Sequence, residues 1–244
     1  FSPRHKPELL DGTPDEIRAK LDLVGFIESF ATGFDLRTLR AEQAESLKRT
    51  CRLLAKAQVP VYMLIGNDDH IRDRDWDAML ETYGIANLNL QCHPLDGAKL
   101  VGFQYVPPMP WNTNNELSED RLAEKLTSVA HWVDAKAFLV THGPPRGVLD
   151  RVSNGLHVGS PALLSLVGGK RPLFHVFGHI HEAFGHLRLG DTTCCNVASQ
   201  WAEGCLGAFL LDTQEKSVQP IVEQTTVEDL YGALRAEQED GHTV

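Results

Sequence analysis

The chain has 244 residues, 42% hydrophobic and 23% charged, which is enough for one large domain with a substantial core. Its formal net charge of -10 argues against non-specific nucleic-acid binding, which needs a basic surface. The charge leaves a small phosphorylated substrate open, because bound divalent cations reverse the local sign of a site. Five cysteines, Cys51, Cys92, Cys194, Cys195 and Cys205, are odd in number, irregularly spaced and without a CxxC, unlike a disulfide framework or a cysteine zinc site. No apolar stretch approaches the roughly 18 residues of a membrane span. No secretory apolar region lies near the start, so a cytoplasmic protein without membrane partners is expected.

Residues 1–13 are polar and read as a loop. Ile17, Leu21, Val24, Ile27 and Phe30 predict a helix over 14–32, and Leu39, Ala44, Leu47, Cys51 and Leu54 a second over 36–57. The continuous apolar run 59–65 suits a strand covered on both faces and ending at Gly66. A short helix over 75–83 and strands over 88–92 and 100–105 follow, then a Pro-rich loop over 106–111 that no central strand tolerates. Ser118 is expected to cap a helix reaching 133, with Asp120 in its first turn. Beyond it come a strand over 137–141, a helix over 161–167 and strands over 172–178, 184–189, 193–197 and 206–212. In 193–197, alternation turns Cys194 and Cys195 to opposite faces, one of them buried and the other directed elsewhere. The pattern predicts an α/β protein with layered sheets and helices over 1–212, followed by a solvated acidic tail over 213–244 with one possible helix at 227–237.

Three strand ends carry related chemistry. The first is Ile65-Gly66-Asn67-Asp68-Asp69-His70, the second Thr141-His142-Gly143-Pro144-Pro145, and the third Gly178-His179-Ile180-His181-Glu182. Two imidazoles at i and i+2 of an extended segment project to one side. In open α/β sheets ligands gather beyond the carboxyl ends of strands, so Asn67, His142, His179 and His181 can be brought to one place. An amide oxygen with imidazole nitrogens suits borderline divalent metals, Mn, Fe, Zn, Co or Ni, better than Ca or Mg.

In this order the three segments resemble the calcineurin-like metallophosphoesterase superfamily, and within it a branch of small bacterial and archaeal phosphoesterases. The 105–111 loop, Gly159-Ser160 before a helix and the 196–204 stretch add to the likeness, which covers roughly 59–212. The resemblance implies a four-layer α/β/β/α sandwich with two metals between its loops. Carried over, Asn67, His142 and His179 hold one metal and His181 belongs to the other. The implied reaction is hydrolysis of a phosphomonoester or phosphodiester by a water activated between two cations about 3.5–4 Å apart.

Two departures stand out. The family's upstream Asp-x-His and Gly-Asp segments, which supply most ligands of the first metal and the bridging carboxylate, have no counterpart here. Asp35 lacks the Gly-Asp context, and Asp69 and His70 directly follow the Asn67 motif. With 1–58 reading as mostly helical and Phe1 opening the chain, the first strands of the sandwich are expected to be missing and this stretch alone to bind at most one metal weakly. The second departure is Asp68, where many relatives carry a His that acts as general acid. An ionised Asp donates no proton unless its pKa is raised, so Asp68 is either catalytic in that altered state or a partner of a ligand.

Other residues read as structural. His175 suits a satisfied core histidine, Thr141 a strand residue, and His93, His131, His157, His186 and Glu182 surface or supporting positions. Trp111 and Trp201 suit packing better than a substrate cleft. There is no Gly-rich nucleotide loop and no Gly-x-Ser-x-Gly elbow. The rival to an enzyme is a catalytically inactive relative that uses the same sandwich for binding or scaffolding. The sequence singles out neither a substrate nor an oligomeric state.

Overall fold

The computed structural model describes residues 36–67, 69, 71, 73–95, 97–109, 113–199 and 207–220. The expected helices over 14–32 and 227–237, and the residues Asp35, Asp68, His70, Trp111, Trp201 and Cys205, lie outside them.

Helix α1 (Leu36–Leu54) places Cys51 in a core with Ile65, Trp76, Met79, Leu80 and Ile85, and Leu47 and Leu54 pack against it. Helix α2 (Asp73–Thr82) opens on Asp73 and Asp75, favourable beside the positive end of the helix dipole. It buries Trp76, Met79 and Leu80, one face at the i, i+3, i+4 spacing. Gly84, at φ +66°, turns the chain out of it.

Between these helices the expected strand over 59–65 shrinks to β1 (Tyr62–Met63), paired in parallel with β2 (Ala86–Asn87). Pro60 has no N–H to give a ladder, and Val59 is 67% exposed, so apolar composition alone does not extend the pairing. The strand expected over 88–92 is likewise replaced. Leu90 takes a left-handed φ of +56°, Asn89 makes a single bridge to Gly102, and the chain re-enters a sheet as β3 (Cys92–Leu95). The absence of a side chain at Gly102 permits this path, since a Cβ there would stand 2.3 Å from the Leu88 carbonyl oxygen.

The main sheet has six strands in the order β3-β4-β5-β6-β8-β7, adding β4 (Ala98–Phe103), β5 (Ala137–Thr141), β6 (Phe174–Phe177), β7 (Gly185–Leu189) and β8 (Thr192–Asn196). The four inner strands β4, β5, β6 and β8 are parallel, and β3 and β7 close the edges antiparallel. Pro94 sits in edge strand β3, where a missing N–H is tolerated. Helices α3 (Glu119–Ala130) and α4 (Pro161–Lys170) make the parallel crossovers. Leu122, Leu126, Val129 and Val133 form one apolar row buried against Val101, Phe103, Ala137, Leu139, Leu163 and Val167. Each of these side chains larger than Ala137 stabilises the layer by roughly 1.5–3 kcal/mol.

Ser118 occupies the position before α3, yet its side chain makes no capping bond; at α4 the Ser160 side chain does accept from the Leu163 N–H, at 3.2 Å. Cys194 and Cys195 point to opposite faces of β8, but both are fully buried, which corrects the expectation that one is turned away. The sheet is covered on both sides there: Cys194 packs with Val148 and Phe177. On the other face His186, opposite Cys195, sets its ring edge-on to Phe209. Phe209 opens β9 (Phe209–Asp212), which turns back through β10 (Ser217–Pro220), so the start of the expected solvated tail forms the second arm of a hairpin. None of the helices among the described residues is long and apolar enough to cross a membrane.

Candidate metal centre

The parallel strands all deliver their carboxyl ends to one edge of the sheet, and the polar segments follow directly. His142 comes after β5, Gly178 and His179 after β6, and Ser199 after β8. Backbone bonds knit them together: Gly178 N–H donates to the His142 carbonyl at 3.0 Å, and Val197 N–H to that of Phe177 at 2.7 Å. The loop after β1 supplies Asn67, only 6% exposed.

Three side chains meet here. Asn67 Oδ1 lies 2.8 Å from His142 Nε2 and 3.0 Å from His179 Nδ1, and the two rings stand edge to face with centroids 4.9 Å apart. Asn67 N–H also approaches His142 Nε2 at 3.3 Å. A Cβ at Gly66 would come within 3.0 Å of His142 Cε1, so glycine at this place leaves room for the ring.

The backbone around His179 departs from the extended segment expected of the His-x-His pair. β6 ends at Phe177, His179 takes φ +70°, and Ile180 N–H donates to the Gly178 carbonyl at 2.8 Å, a tight turn centred on a non-glycine residue. A left-handed residue of this kind costs about 1–2 kcal/mol. His181 then begins a 3-10 turn (His181–Ala183) and places its Nδ1 2.6 Å from the Ser199 carbonyl. That carbonyl can only accept, so Nδ1 carries a proton and Nε2 is the nitrogen left for a ligand. The structure thus brings Asn67, His142 and His179 into one cluster and sets His181 beside it on a separate anchor.

Burial pushes the His142 pKa down to about 4, with the neighbouring His181 adding to it. Burial also takes His179 to about 3, followed by the effects of His142 and His181. Both rings are therefore neutral near pH 7, the state in which imidazole binds metal. Adjacent donors around a six-coordinate cation with bonds of about 2.1 Å stand about 3.0 Å apart, the spacing found here. His179 Nε2, on the side of the ring away from Asn67, is buried without a hydrogen-bond partner, as is Nδ1 of the core histidine His175. The residues therefore fit a divalent cation. Among the described residues no three His, Cys, Asp or Glu side chains cluster at metal-binding spacing; the convergent set is two imidazoles and an amide.

Several residues outside the recognised motifs build the surroundings. Thr113, Asn114 and Asn115 clamp the Asn67 loop: Asn67 Nδ2 donates to Thr113 Oγ1 at 2.8 Å, Asn114 N–H to the Asn67 carbonyl at 2.9 Å, and Asn115 Nδ2 to that of Gly66 at 3.0 Å. Asn115 holds φ +63°, a conformation Asn tolerates better than most residues. A fully buried Asn196 donates to the carbonyls of Leu149 and Ile180 at 3.0 and 2.9 Å. The only sequence signal for the clamp is the polar run 112–116 between a Pro-rich loop and a helix start. Further along, Asp150 accepts from Gly147, Gly159 and His157, so His157 has a fixed structural partner. Burial would raise the Asp150 pKa, but these hydrogen bonds outweigh it and hold the carboxylate below its usual range. His175 is a fully buried core histidine whose Nε2 is bonded to Thr141 Oγ1 at 2.9 Å, but its Nδ1 has no partner, so it is only half satisfied, against the expectation.

Metallophosphoesterase domain-containing protein 1 of Homo sapiens is 43% identical to the chain over 79 residues, which make up 32% of the chain and 23% of that relative. The chain is a relative of metallophosphoesterase-domain proteins. A UPF0046 protein of Caenorhabditis elegans, K07C11.7, is 35% identical over 106 residues, covering 43% of the chain and 34% of that protein. The chain therefore matches about a quarter to a third of the length of these curated relatives. No family model matches it. One solved structure superposes at a TM-score of 0.63 with 18% identity, over 84% of this chain and 83% of the other. The TT1561 protein of Thermus thermophilus superposes at 0.55 with 16% identity, over 73% and 79%. These likenesses show the fold, the mixed α/β architecture expected of a metallophosphoesterase relative.

Proposed function

We propose that this metallophosphoesterase relative hydrolyses a small phosphomonoester or phosphodiester, one divalent cation being held weakly at the Asn67–His142–His179 cluster and the second, beside His181, needing a bridging carboxylate that the recognised segments do not supply. The observation that carries this reading is one amide oxygen flanked by two neutral imidazole nitrogens at 2.8 and 3.0 Å. When bound, cations of the Mn, Fe, Zn, Co or Ni type supply Lewis acidity and an acidified water for attack on phosphorus.

The chain's own residues do the rest. Each ring is neutral and adds no positive charge, and the Asn67 amide adds a neutral oxygen. In the metal-free protein Oδ1 accepts the His179 Nδ1 proton, which must shift to Nε2 before Nδ1 can hold a cation. His181, its Nδ1 proton held by Ser199, presents Nε2 on the neighbouring side. An open depression of about 570 Å³ borders the turn after His181 and is lined by Leu149, Arg151, Ser153, His157 and Glu182. Arg151 would offer that wall a positive group for the non-reacting part of a phosphorylated substrate, beside the acidic Asp150 and Glu182 that also line it. Asp68, beside Asn67, is proposed either to protonate the leaving group or to hold a ligand in place.

The test is hydrolysis of an aryl phosphate and an aryl phosphodiester by the full chain with Mn, Co, Ni or Fe, alongside calorimetric titration of each metal. Turnover that Asn67→Ala and His142→Ala each lower by about 100-fold or more is the expected result. Metal uptake without turnover of any ester would support the non-catalytic binding relative instead. Neither uptake nor turnover would overturn the metal reading altogether.

A further inference from the structure

An asparagine ligand carries an orientational ambiguity of its own. Turned half a revolution about its last bond, the Asn67 carboxamide would present its NH2 group to the cation site in place of Oδ1. Something must decide the direction, and the 113–116 loop contains it. Asn67 Nδ2 donates to Thr113 Oγ1 at 2.8 Å. The Thr113 hydroxyl has one proton, and Glu116 Oε1 receives it at 2.6 Å. With its proton committed, the hydroxyl can only accept from Asn67, which excludes the flipped amide.

The carboxylate at the far end is itself fixed. Glu116 Oε1 also accepts the Thr113 N–H at 2.5 Å, and Oε2 accepts the Met109 N–H at 2.8 Å. The loop is held against the ligand loop at further points, since Asn114 N–H donates to the Asn67 carbonyl and Asn114 Nδ2 to that of Asp69, both at 2.9 Å. A chain running from carboxylate to hydroxyl to amide also polarises in one direction, drawing electron density toward Asn67 Oδ1.

We infer that Glu116 and Thr113 are positioning residues that fix the Asn67 amide with its oxygen toward the cation site. The inference rests on the metal reading proposed above. Neither residue belongs to a strand-end motif, and the bond to the Asn67 amide comes from Thr113.

The experiment uses the full chain as wild type, Thr113→Val, Thr113→Ser and Glu116→Gln. Mn²⁺ and Co²⁺ alone are titrated calorimetrically, thermal unfolding is recorded without metal, and the Asn67 side-chain amide is followed by NMR in the metal-free protein. Valine keeps the shape of Thr113 but removes the acceptor, so its affinity for either ion falls about 10–100-fold, the range seen when the hydrogen-bond partner of a metal ligand is removed. Serine keeps the hydroxyl acceptor and restores most of the lost affinity. Metal-free unfolding midpoints stay together, and the slowly exchanging Asn67 amide proton disappears in Thr113→Val and persists in Thr113→Ser. Should Thr113→Val fold poorly, Glu116→Gln carries the test: it weakens the proton acceptor while preserving the loop, and lowers metal affinity in the same direction.

Wild-type affinity and an unchanged Asn67 amide signal in Thr113→Val would overturn the inference. So would a Thr113→Ser protein as weak as Thr113→Val, because the hydroxyl would then not be the operative group. A wild-type chain that binds neither ion, but whose amide signal responds as described, would remove the metal reading and leave the orientation of Asn67 by Thr113 standing.

Discussion

A methyl group on Gly66 would stand 3.0 Å from Cε1 and 3.3 Å from Nε2 of His142 and 3.5 Å from Asp69 Oδ2. Since Gly66 has no left-handed backbone conformation, Gly66→Ala acts through this contact alone. The imidazole has to give way by a few tenths of an ångström, while His179, at φ +70°, and Asn67, held by Thr113, cannot follow it. A displacement of that size matters more to a cation than to the fold, because ligand distances are tolerated only within about 0.2 Å. Gly66→Ala is expected to weaken Mn²⁺ binding by about tenfold or more while shifting the urea midpoint little. Calorimetric titration beside an unfolding curve checks this, and unchanged affinity would mean that His142 does not face the cation. The same close packing explains why His179 sits in a strained turn: an extended residue there would carry its ring along the line of β6, away from Asn67. Backbone strain of about 1–3 kcal/mol survives only where the surroundings over-determine it, and such places concentrate at functional sites.

At the scale of elements, the turn that carries His179 and His181 depends on the end of β8. The Asn196 carboxamide donates to Ile180, between the two histidines, and to Leu149, after the 144–148 loop, while its Oδ1 accepts from Ala198 N–H at 2.9 Å. Asn196→Ala leaves two carbonyls without this donor in a buried place, which costs about 2–4 kcal/mol. Asn196→Asp is expected to be worse than alanine, because a carboxylate keeps the Ala198 bond but turns acceptors toward both carbonyls. Urea unfolding of the two variants checks the order; an aspartate as stable as wild type would mean that the bonds contribute little. Such ties also mark the limit of what the sequence discloses. Strand β5 is legible because Ala137–Thr141 is a continuous apolar run ending in a polar loop, and α2 because Trp76, Met79 and Leu80 repeat at helical spacing. The same apolar criterion misjudges 59–65 and 88–92, where Pro60, the left-handed Leu90 and the close approach at Gly102 decide the path. In the site, His142 and His179 are legible because each follows a main-sheet strand whose carboxyl end meets one edge, and Asn67 because it follows the apolar run that ends at Gly66. Thr113 and Glu116 are not, since a polar loop has no period and its partner lies 46 residues away from Thr113. The tight turn at His179 is equally hidden, because Gly-His-Ile-His reads as a strand until the tertiary contacts bend it.

For the molecule as a whole, both faces of the main sheet are covered, and a titratable group lies sealed inside it. His175 is fully buried on β6, its Nε2 bonded to Thr141 Oγ1 at 2.9 Å and its Nδ1 without a partner. The Thr141 hydroxyl gives its proton to the Gly143 carbonyl at 2.6 Å, so the ring nitrogen is the donor and the imidazole is neutral. Burial pushes the His175 pKa down to about 3, against about 6.5 in the unfolded chain. The sign follows from proton counting. Above about pH 6.5 the ring is neutral in both states and contributes no pH dependence. Between about 6.5 and 3 the unfolded chain binds the proton and the folded one does not, so stability falls as the pH drops, approaching about 1.4 kcal/mol per unit. From about pH 7 to pH 5 the loss from this one ring comes to about 2 kcal/mol. His142 and His179, shifted in the same direction by burial, add to the loss, so wild type alone cannot apportion it. His175→Leu removes the one titration and leaves the others. Thr141 still donates to Gly143, so the variant is expected to fold. Unfolding free energies measured in urea at pH 7 and pH 5 should therefore decline about 2 kcal/mol less in His175→Leu than in wild type, and equal declines would place the protonated ring of His175 inside the folded protein.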